Sequence, residues 1–279
     1  MAYRIKGLGW LPDPPDYRDF KADSEERALQ MDERVAQMAT VAPDTFQTRA
    51  GPLPASIDLR AKCSPIEDQG DIGSCTAHSV CGLVEYLQRN LFGEHLEASR
   101  LFLYKATRSF LGWSGDTGAF VRSTIKALRL FGVPPEDYYA YDTARFDEEP
   151  PAFAYAFAGN YKAIEYYRLD GLQKLKESLA KGVPFAFGFT CYSSLFTDAV
   201  RRSGNIPFPG RGEQQVGGHA IMAVGYDNSK GHLLIRNSWG TGWGDEGYGT
   251  FPFEYVERGV AQDYWALARM DVVPLQDGR

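Results

Sequence analysis

A glycine-containing turn that leads into a cysteine and then into an amphipathic run constrains this chain more than any other feature. It spans residues 69–78, Gln-Gly-Asp-Ile-Gly-Ser-Cys-Thr-Ala-His. Apolar residues then recur at three- and four-residue spacing, which predicts a buried helix with Cys75 in its first turn. Free backbone N–H groups and the helix dipole favour a thiolate there. The pattern makes Cys75 a candidate nucleophile and Gln69 a candidate side-chain donor to an oxyanion. Taken alone, a cysteine at this place is more often a small buried residue packed under a loop, so the rest of the chain has to decide.

Three segments of the sequence carry a family resemblance. Residues 69–78 resemble the nucleophile region of papain-like cysteine peptidases. Residues 217–226, Gly-Gly-His-Ala-Ile-Met-Ala-Val-Gly-Tyr, are similar to the histidine strand of that family, and residues 237–244, Asn-Ser-Trp-Gly-Thr-Gly-Trp-Gly, to its asparagine motif. The segments occur in the family's order, and the resemblance, greatest to bacterial members, extends from residue 53 to about residue 270.

The resemblance implies an α+β fold with a helical subdomain, a β-barrel-like subdomain and an active-site cleft between them. We expect residues 53–145 to form the helical subdomain with the nucleophile, and residues 146–279 the β-rich subdomain with the histidine and asparagine. Helices are predicted at 99–110, 120–130 and 172–179, and strands at 183–190, 220–226, 233–236, 247–251 and 264–270. Residues 146–160 are predicted to form a polar connection that crosses between the two subdomains, and residues 191–218 are predicted to form a surface loop.

The same resemblance implies a catalytic set for peptide hydrolysis. Cys75 is the expected nucleophile, and His219 the acid and base that activates it and protonates the leaving amine. Asn237 is expected to orient the imidazole, and Gln69 to donate to the oxyanion with the backbone N–H of Cys75. Peptides or proteins are the expected substrates, with no cofactor and no metal, because no zinc-ligand spacing is present.

Further residues are expected to contact substrate because of where they stand in the family's pattern. Glycines beside the cleft allow the substrate backbone to approach closely, and small residues before the histidine leave a roomy pocket for large apolar or basic side chains. A tryptophan after the asparagine is also expected to shield the His–Asn hydrogen bond. The candidates are Gly115, Gly118, Gly217, Gly218, Trp239 and Trp243.

Residues 1–52 precede the peptidase-like part. Trp10 to Phe20 is rich in proline and aromatic residues and is expected to be extended. A helix capped by Asp23 or Ser24 should follow to about residue 40, with Ala28, Met31, Val35 and Met38 on one stripe. We expect a compact prosegment that crosses the active site and acts as an intramolecular inhibitor. The alternative is an extended arm packed elsewhere on the surface.

Charge and composition restrict the class of protein further. A formal net charge of −6 argues against nucleic acid as the main partner, because phosphate binding needs a basic surface. No apolar run approaches the roughly 20 residues of a membrane helix, and the N-terminus lacks the apolar core of a secretory signal. A cytoplasmic location is the default expectation, although a chain whose signal was removed, or one exported by another route, would look the same.

Two alternatives to a peptidase remain at the level of sequence. A catalytically silent binding protein on the same fold would be expected to lack the cysteine, histidine or asparagine, and all three are present. A Cys-His amidase or acyl transferase would act on a non-peptide amide, and fold kinship alone does not decide the substrate. His78 follows Cys75 on the same helix, and His95 and His232 lie in polar, loop-like stretches. None of the three is expected to be catalytic, and a solvated or hydrogen-bonded surface histidine is the expectation for each.

Overall fold

The computed structural model describes residues 7–16, 19, 25–48 and 51–272. In these residues, helices pack on an antiparallel sheet, which confirms the predicted α+β class. The predicted cap at Asp23 or Ser24 lies outside the described residues. The helices are α1 (Glu25–Val41), α2 (Cys75–Phe92), α3 (Arg100–Phe110), α4 (Val121–Phe131), α5 (Ala152–Ala158), α6 (Gly171–Ala180), α7 (Asp198–Ser203) and α8 (Phe253–Glu257).

Within the described part of the chain, seven strands form one sheet whose pairings are all antiparallel. The strand order is β2-β7-β3-β4-β5-β6, and β1 pairs with β4 off this path. Because β4 pairs with three strands, the histidine that it carries is held in a rigid frame. The strands are β1 (Ser56–Asp58), β2 (Tyr161–Leu169), β3 (Phe185–Tyr192), β4 (Gln215–Asp227), β5 (His232–Arg236), β6 (Tyr248–Pro252) and β7 (Ala261–Val272).

The structure corrects three of the sequence assignments. The predicted loop at 191–218 is wrong in part, since β3 runs to Tyr192, α7 lies inside the stretch, and β4 already begins at Gln215. Glycines that suggested a loop, Gly217 and Gly218, pair within a strand. Strand β2 was not predicted because charged residues interrupt its apolar pattern, and the polar crossing at 146–160 contains α5.

Helix α2 begins at Cys75, as predicted, and is buried over most of its length. A buried ion pair joins it to α3, because Arg100 donates to both carboxylate oxygens of Glu85 at 2.7 and 2.9 Å. The same carboxylate accepts from Ser64 Oγ and from the backbone N–H of Ala98. A buried carboxylate with all its hydrogen bonds satisfied fixes its neighbours in place. The Glu85 contacts therefore hold α2, the helix that begins at Cys75, against α3.

The N-terminal extension packs on the rest of the protein through two parts. In α1, Met31, Val35 and Met38 are buried, as the predicted apolar stripe requires, and beyond α1 the ring of Phe46 packs edge-on against Tyr86. Residues 7–16, which we call the N-terminal segment, bond to backbone groups of both halves of the molecule. These groups belong to Ala119, next to α4, and to Gly218 in β4.

Candidate active site

Cys75 lies where the first turn of α2 meets strand β4. Its side chain is fully buried, and Sγ accepts a hydrogen bond from the backbone N–H of Ala220 at 3.4 Å. The turn before the helix is fixed by Asp116, which accepts from the backbone N–H of Gly73 at 2.9 Å. Ser74, at the N-cap, bonds to Tyr141 Oη instead of capping the helix. The first-turn position predicted for Cys75 is therefore confirmed.

His219 and Asn237 form the hydrogen bond that the sequence predicts. The imidazole Nε2 donates to Asn237 Oδ1 at 2.8 Å, and the same oxygen accepts from the backbone N–H of Ser238 at 2.9 Å. Trp239 stacks on the imidazole with a centroid distance of 4.6 Å and an interplanar angle of 23°. His219 Nδ1 is buried and has no hydrogen-bond partner among the described residues, so this nitrogen is the one available for proton transfer.

Gln69 is oriented by Ser238, for which the sequence predicted no role. Ser238 Oγ donates to Gln69 Oε1 at 2.6 Å, so the amide nitrogen must point the other way. Nε2 donates to the carbonyl oxygens of Ile72 and Gly7, at 2.9 and 2.8 Å. Gln69 therefore already holds a peptide carbonyl, that of Gly7 in the N-terminal segment.

The N-terminal segment continues across the cleft from Gly7. The backbone N–H of Gly9 faces Cys75 Sγ, and the carbonyl of Gly9 accepts from Ala119 N at 2.7 Å. Trp10 N donates to the carbonyl of Gly218 at 3.1 Å, and Leu11 N donates to that of Ala119 at 3.0 Å. The segment thus uses backbone groups on both walls of the cleft and covers Cys75.

The side chain of Trp10 fills the pocket that the sequence predicts beside the histidine. Its ring lies so close to Gly188 and Gly218 that a Cβ would be 2.0 Å from the nearest ring atom at Gly188 and 2.6 Å from it at Gly218. The indole N–H donates to Asp263 Oδ2 at 3.2 Å. Asp263 is only 1% exposed and has a left-handed backbone with φ of 58°. Gly188, Gly218 and Asp263 define what we call the Trp10 pocket.

The other predicted substrate-contact residues divide into two groups. Gly217 packs against Leu8, and Gly118 packs against Gly9, so both touch the N-terminal segment. Gly115 does not, because its backbone is tied to Arg108 and Asp147 in the helical half. Ala119, which the sequence reading passed over, makes the backbone pairing expected of these glycines.

Trp239 and Trp243 lie on the other side of His219. Their rings meet edge-on with centroids 5.7 Å apart, and both line a cavity of about 550 Å³ together with Asp68 and Arg201. The N-terminal segment fills the Trp10 pocket and leaves this cavity open. The cleft therefore has one occupied side and one accessible side.

Burial keeps both reactive groups neutral in this covered arrangement. It raises the pKa of the Cys75 thiol to about 11, although backbone N–H groups, including those of Ala220 and Gly9, pull the value back. It lowers the pKa of His219 to about 4, opposed by the hydrogen bond to Asn237. Removing water disfavours any charged form, so the covered arrangement disfavours both a Cys75 thiolate and a His219 imidazolium.

The remaining histidines and cysteines are separate from this set. His78 is buried on α2 with its ring edge-on to Tyr141, which corrects the expectation of a surface histidine. His95 pairs with Glu97 at the surface. All four cysteines are buried and free of disulfides. In the described ranges no helix is long and apolar enough to cross a membrane.

The fold and the site together define a class: α+β proteins with a helix-borne thiol, an imidazole oriented by a carboxamide, and a side-chain amide donor. The sequence profile of the papain family cysteine proteases matches residues 53–265. The chain therefore belongs to the papain family and is a cysteine peptidase, which makes it a hydrolase.

Individual relatives agree with this assignment. Xylellain, a cysteine protease from Xylella fastidiosa, is 32% identical, with a TM-score of 0.80 over 98% of each chain. An uncharacterized peptidase C1-like protein of Acanthamoeba polyphaga mimivirus is 30% identical and covers 94% of this chain and 86% of its own length. Cathepsin K of Gallus gallus is 30% identical over 70% of this chain and 58% of that protein.

Proposed function

We propose that this protein is a cysteine endopeptidase whose cleft is closed by its own N-terminal segment until the segment is displaced. The observation that supports this most directly is the hydrogen bond from Gln69 Nε2 to the carbonyl of Gly7. A peptide carbonyl already occupies the amide donor expected to bind the oxyanion. The segment enters the cleft along the wall beside Cys75 and His219, and a packed arm elsewhere on the surface would make none of these contacts.

The reaction begins when displacement of the segment lets water reach Cys75 and His219. The thiol proton passes to His219, and Sγ attacks the carbonyl carbon of the scissile peptide. Gln69 Nε2 and the backbone N–H of Cys75 donate to the oxygen as it gains charge. His219 then gives its proton to the nitrogen as the C–N bond breaks, which leaves a thioester on Cys75.

Hydrolysis of the thioester completes the cycle. A water molecule gives a proton to His219 and attacks the acyl carbon, and Gln69 again donates to the oxyanion. The C–S bond breaks, the carboxylic acid leaves, and Sγ recovers its proton. Asn237 holds the imidazole in the tautomer that both steps need, because its Oδ1 accepts a hydrogen bond from Nε2–H, which keeps its proton throughout.

The docked segment presents a hydrogen-bond donor to Cys75. The N–H of Gly9 faces Sγ, and an N–H group is not an electrophile that a thiolate can attack. The segment is therefore proposed to act as an inhibitor that survives contact with the active site.

A large aromatic or apolar side chain is the proposed preference of the Trp10 pocket. Trp10 enters it between two glycines, and neither wall would leave space for a Cβ. Burial of a ring of this size is the main energetic gain available at the site. Substrates with such a side chain should therefore be cleaved best.

Hydrolysis of a quenched fluorescent peptide library under reductant tests the proposed function. We expect turnover by the wild-type chain, a total loss of turnover in Cys75→Ala, and little activity on small non-peptide amides. Because the segment closes the cleft, the same library is also offered to Gly9→Ala, discussed below. Faster hydrolysis of small amides than of peptides would support the amidase alternative instead.

Ser238→Ala is expected to lower kcat about tenfold with little change in KM, because it removes the hydroxyl that orients Gln69. The backbone bond from Gln69 N to the carbonyl of Ser238 remains, so the change acts on the side-chain amide alone. Steady-state kinetics in the opened Gly9→Ala chain would measure it. Ser203→Ala, at an exposed hydroxyl on α7, is the control, and an equal loss in both variants would contradict the assigned role.

A further inference from the structure

Asp19, just beyond the N-terminal segment, is held by two arginines of the peptidase-like part. Arg122 Nη1 lies 2.8 and 2.9 Å from the two carboxylate oxygens, and Arg168 Nη1 lies 2.7 Å from Oδ2. Arg122 Nη2 also donates to the carbonyl of Pro14 at 2.6 Å. The Asp19 side chain is only 3% exposed. Charge-assisted hydrogen bonds of this kind are the strongest that proteins form.

The arginine pair, Arg122 and Arg168, does not depend on the segment for its position. Arg122 is in the first turn of α4 and Arg168 is near the end of β2, two elements that pack on each other. Both elements belong to the body of the protein. The guanidinium groups therefore remain beside the cleft when the segment is displaced.

The balance of charge at this place changes when the segment leaves. With the segment docked, the two guanidinium groups face the three carboxyl groups of Asp13, Asp19 and Asp263. Asp16 also acts on Arg122, but its carboxylate pairs with Lys126. Displacement removes Asp13 and Asp19 together. Two cations then face Asp263 alone, whose Oδ1 is 3.6 Å from Arg168 Nη2. A partly buried cation without a partner is costly, so the open cleft favours an incoming anion here.

The arginine pair is also within reach of a peptide in the cleft. The contacts run in one series: Trp10 Nε1 bonds to Asp263, Asp263 pairs with Arg168, and Arg168 bonds to Asp19. One carboxylate therefore separates the Trp10 pocket from the arginine pair. A peptide whose large side chain fills the pocket can bring a neighbouring carboxylate to the guanidinium groups.

We propose that the arginine pair is a recognition site for an acidic side chain of the substrate, which Asp19 fills in the closed chain. This rests on the proposed function, because it requires that substrate replaces the segment. The site selects a carboxylate near the residue that enters the Trp10 pocket. Asp19 then acts as an internal substitute for the acidic residue of a substrate.

The test is peptide binding to a full-length chain with Gly9→Ala, Asp19→Asn and Cys75→Ala. The first change displaces the segment, the second empties the arginine pair of its own carboxylate in any case, and the third prevents turnover. Each labelled peptide carries one tryptophan for the pocket and one aspartate. Across the set, the aspartate occupies in turn each of the five positions before the tryptophan and each of the five after it. Each is paired with the asparagine peptide, and fluorescence anisotropy gives Kd.

At one position the aspartate peptide is expected to bind about tenfold more tightly than its asparagine partner. Arg122→Gln or Arg168→Gln should remove that advantage. Arg129→Gln, an equal loss of charge further along α4, should preserve it. Equal binding of both peptides at every position would overturn the inference, as would an advantage that survives in both arginine variants.

Failure of this inference is distinguishable from failure of the proposed function. Binding does not require turnover, so a Gly9→Ala chain that cleaves no peptide would refute the endopeptidase while the binding result still decides on the arginine pair. Conversely, a chain that cleaves peptides without any preference for the acidic residue in kcat/KM would keep the endopeptidase and remove the recognition site.

Discussion

A single methyl group at residue 9 is expected to raise peptide hydrolysis about 100-fold, because packing clashes and lost hydrogen bonds together cost about 3 kcal/mol. A Cβ on Gly9 would be 1.8 Å from the carbonyl oxygen of Gly73. That oxygen belongs to the backbone of the turn before Cys75, which is fixed by Asp116. Since the turn cannot move easily, the segment must.

Displacement at Gly9 would break the contacts that close the cleft. The N–H of Gly9 would leave Cys75 Sγ, and its carbonyl would leave Ala119 N, at 2.7 Å in the closed chain. Trp10 follows directly in the chain, so its ring should also leave the pocket. Gly9→Ala therefore opens the active site and leaves the packing of α1 in place.

Deleting residues 1–52 is a less specific experiment. It would remove Met31, Val35 and Met38 of α1 together with Phe46, all at most 5% exposed. Loss of buried side chains of this size costs several kcal/mol of stability. An inactive deletion variant could then reflect unfolding, whereas Gly9→Ala adds one methyl group and preserves this packing.

The measurement is kcat/KM for the best library peptide in wild type and in Gly9→Ala, with the rate of Cys75 alkylation by iodoacetamide as a second readout. Gly159→Ala is the matched control, because a Cβ there makes only an ordinary contact at 3.4 Å. Equal alkylation and equal kcat/KM in wild type and Gly9→Ala would show that the segment does not close the cleft.

The candidate reacting groups could be chosen from the sequence because each one is surrounded by residues with a local signature. Cys75 stands at the start of a strong 3.6-residue apolar pattern, and His219 and Asn237 stand in segments with distinctive glycines and tryptophans. Such signals are short-range, so a single sequence displays them. The helices α3 and α4 were found within one residue of their ends for the same reason.

The groups that hold the segment could not be found in this way. These groups are far apart in the sequence, since 250 residues separate Asp13 from Asp263. They are Asp13, Asp19, Arg122, Arg168 and Asp263. Their charges form a cluster only after α4, β2 and β7 are packed together. Charged residues in a sequence usually lie on solvated surface, so nothing in the sequence marked these five as partners of one another.

The expectation for Gly115 shows the limit of a positional argument. The loop supplies two glycines with positive φ, Gly115 and Gly118, and only the fold decides which lies at the cleft. Gly115 is turned to Asp147 and Arg108, whereas the backbone pairing falls to Ala119. Backbone pairing needs an accessible N–H and C=O, and alanine provides them as well as glycine does.

Closure of the cleft is expected to weaken as the pH rises from about 5 to 7.5, because docking of the segment takes up a proton at Asp13. Burial, with the nearby charge of Asp263, raises the pKa of Asp13 to about 7, although Arg122, Arg168 and a hydrogen bond from Trp265 oppose this. Asp13 N also donates to Asp263 Oδ2 at 2.8 Å, which keeps the two carboxyl groups together.

The direction follows from comparing the docked and the displaced segment. In the displaced segment Asp13 is solvated, with a pKa near its ordinary value of 3.8. A pKa that is raised on docking stabilises the docked state fully below the ordinary value. That contribution is lost as the pH rises through the raised value. Burial raises the pKa of Asp263 as well, so the Asp13–Asp263 pair together holds the one proton that balances the two guanidinium groups.

The ratio of kcat/KM in wild type to that in Gly9→Ala isolates this effect, because the titration of Cys75 and His219 cancels between the two. The ratio should rise at least about tenfold between pH 5 and 7.5, within the limit of tenfold per pH unit for one proton. In Asp13→Asn the ratio should stay flat, since Asn keeps an acceptor for Trp265 and does not titrate. Asp44→Asn, exposed in the same extension, should behave as wild type. A wild-type ratio that is constant or falls with pH would mean that the Asp13 carboxyl docks in its charged form and that docking takes up no proton there.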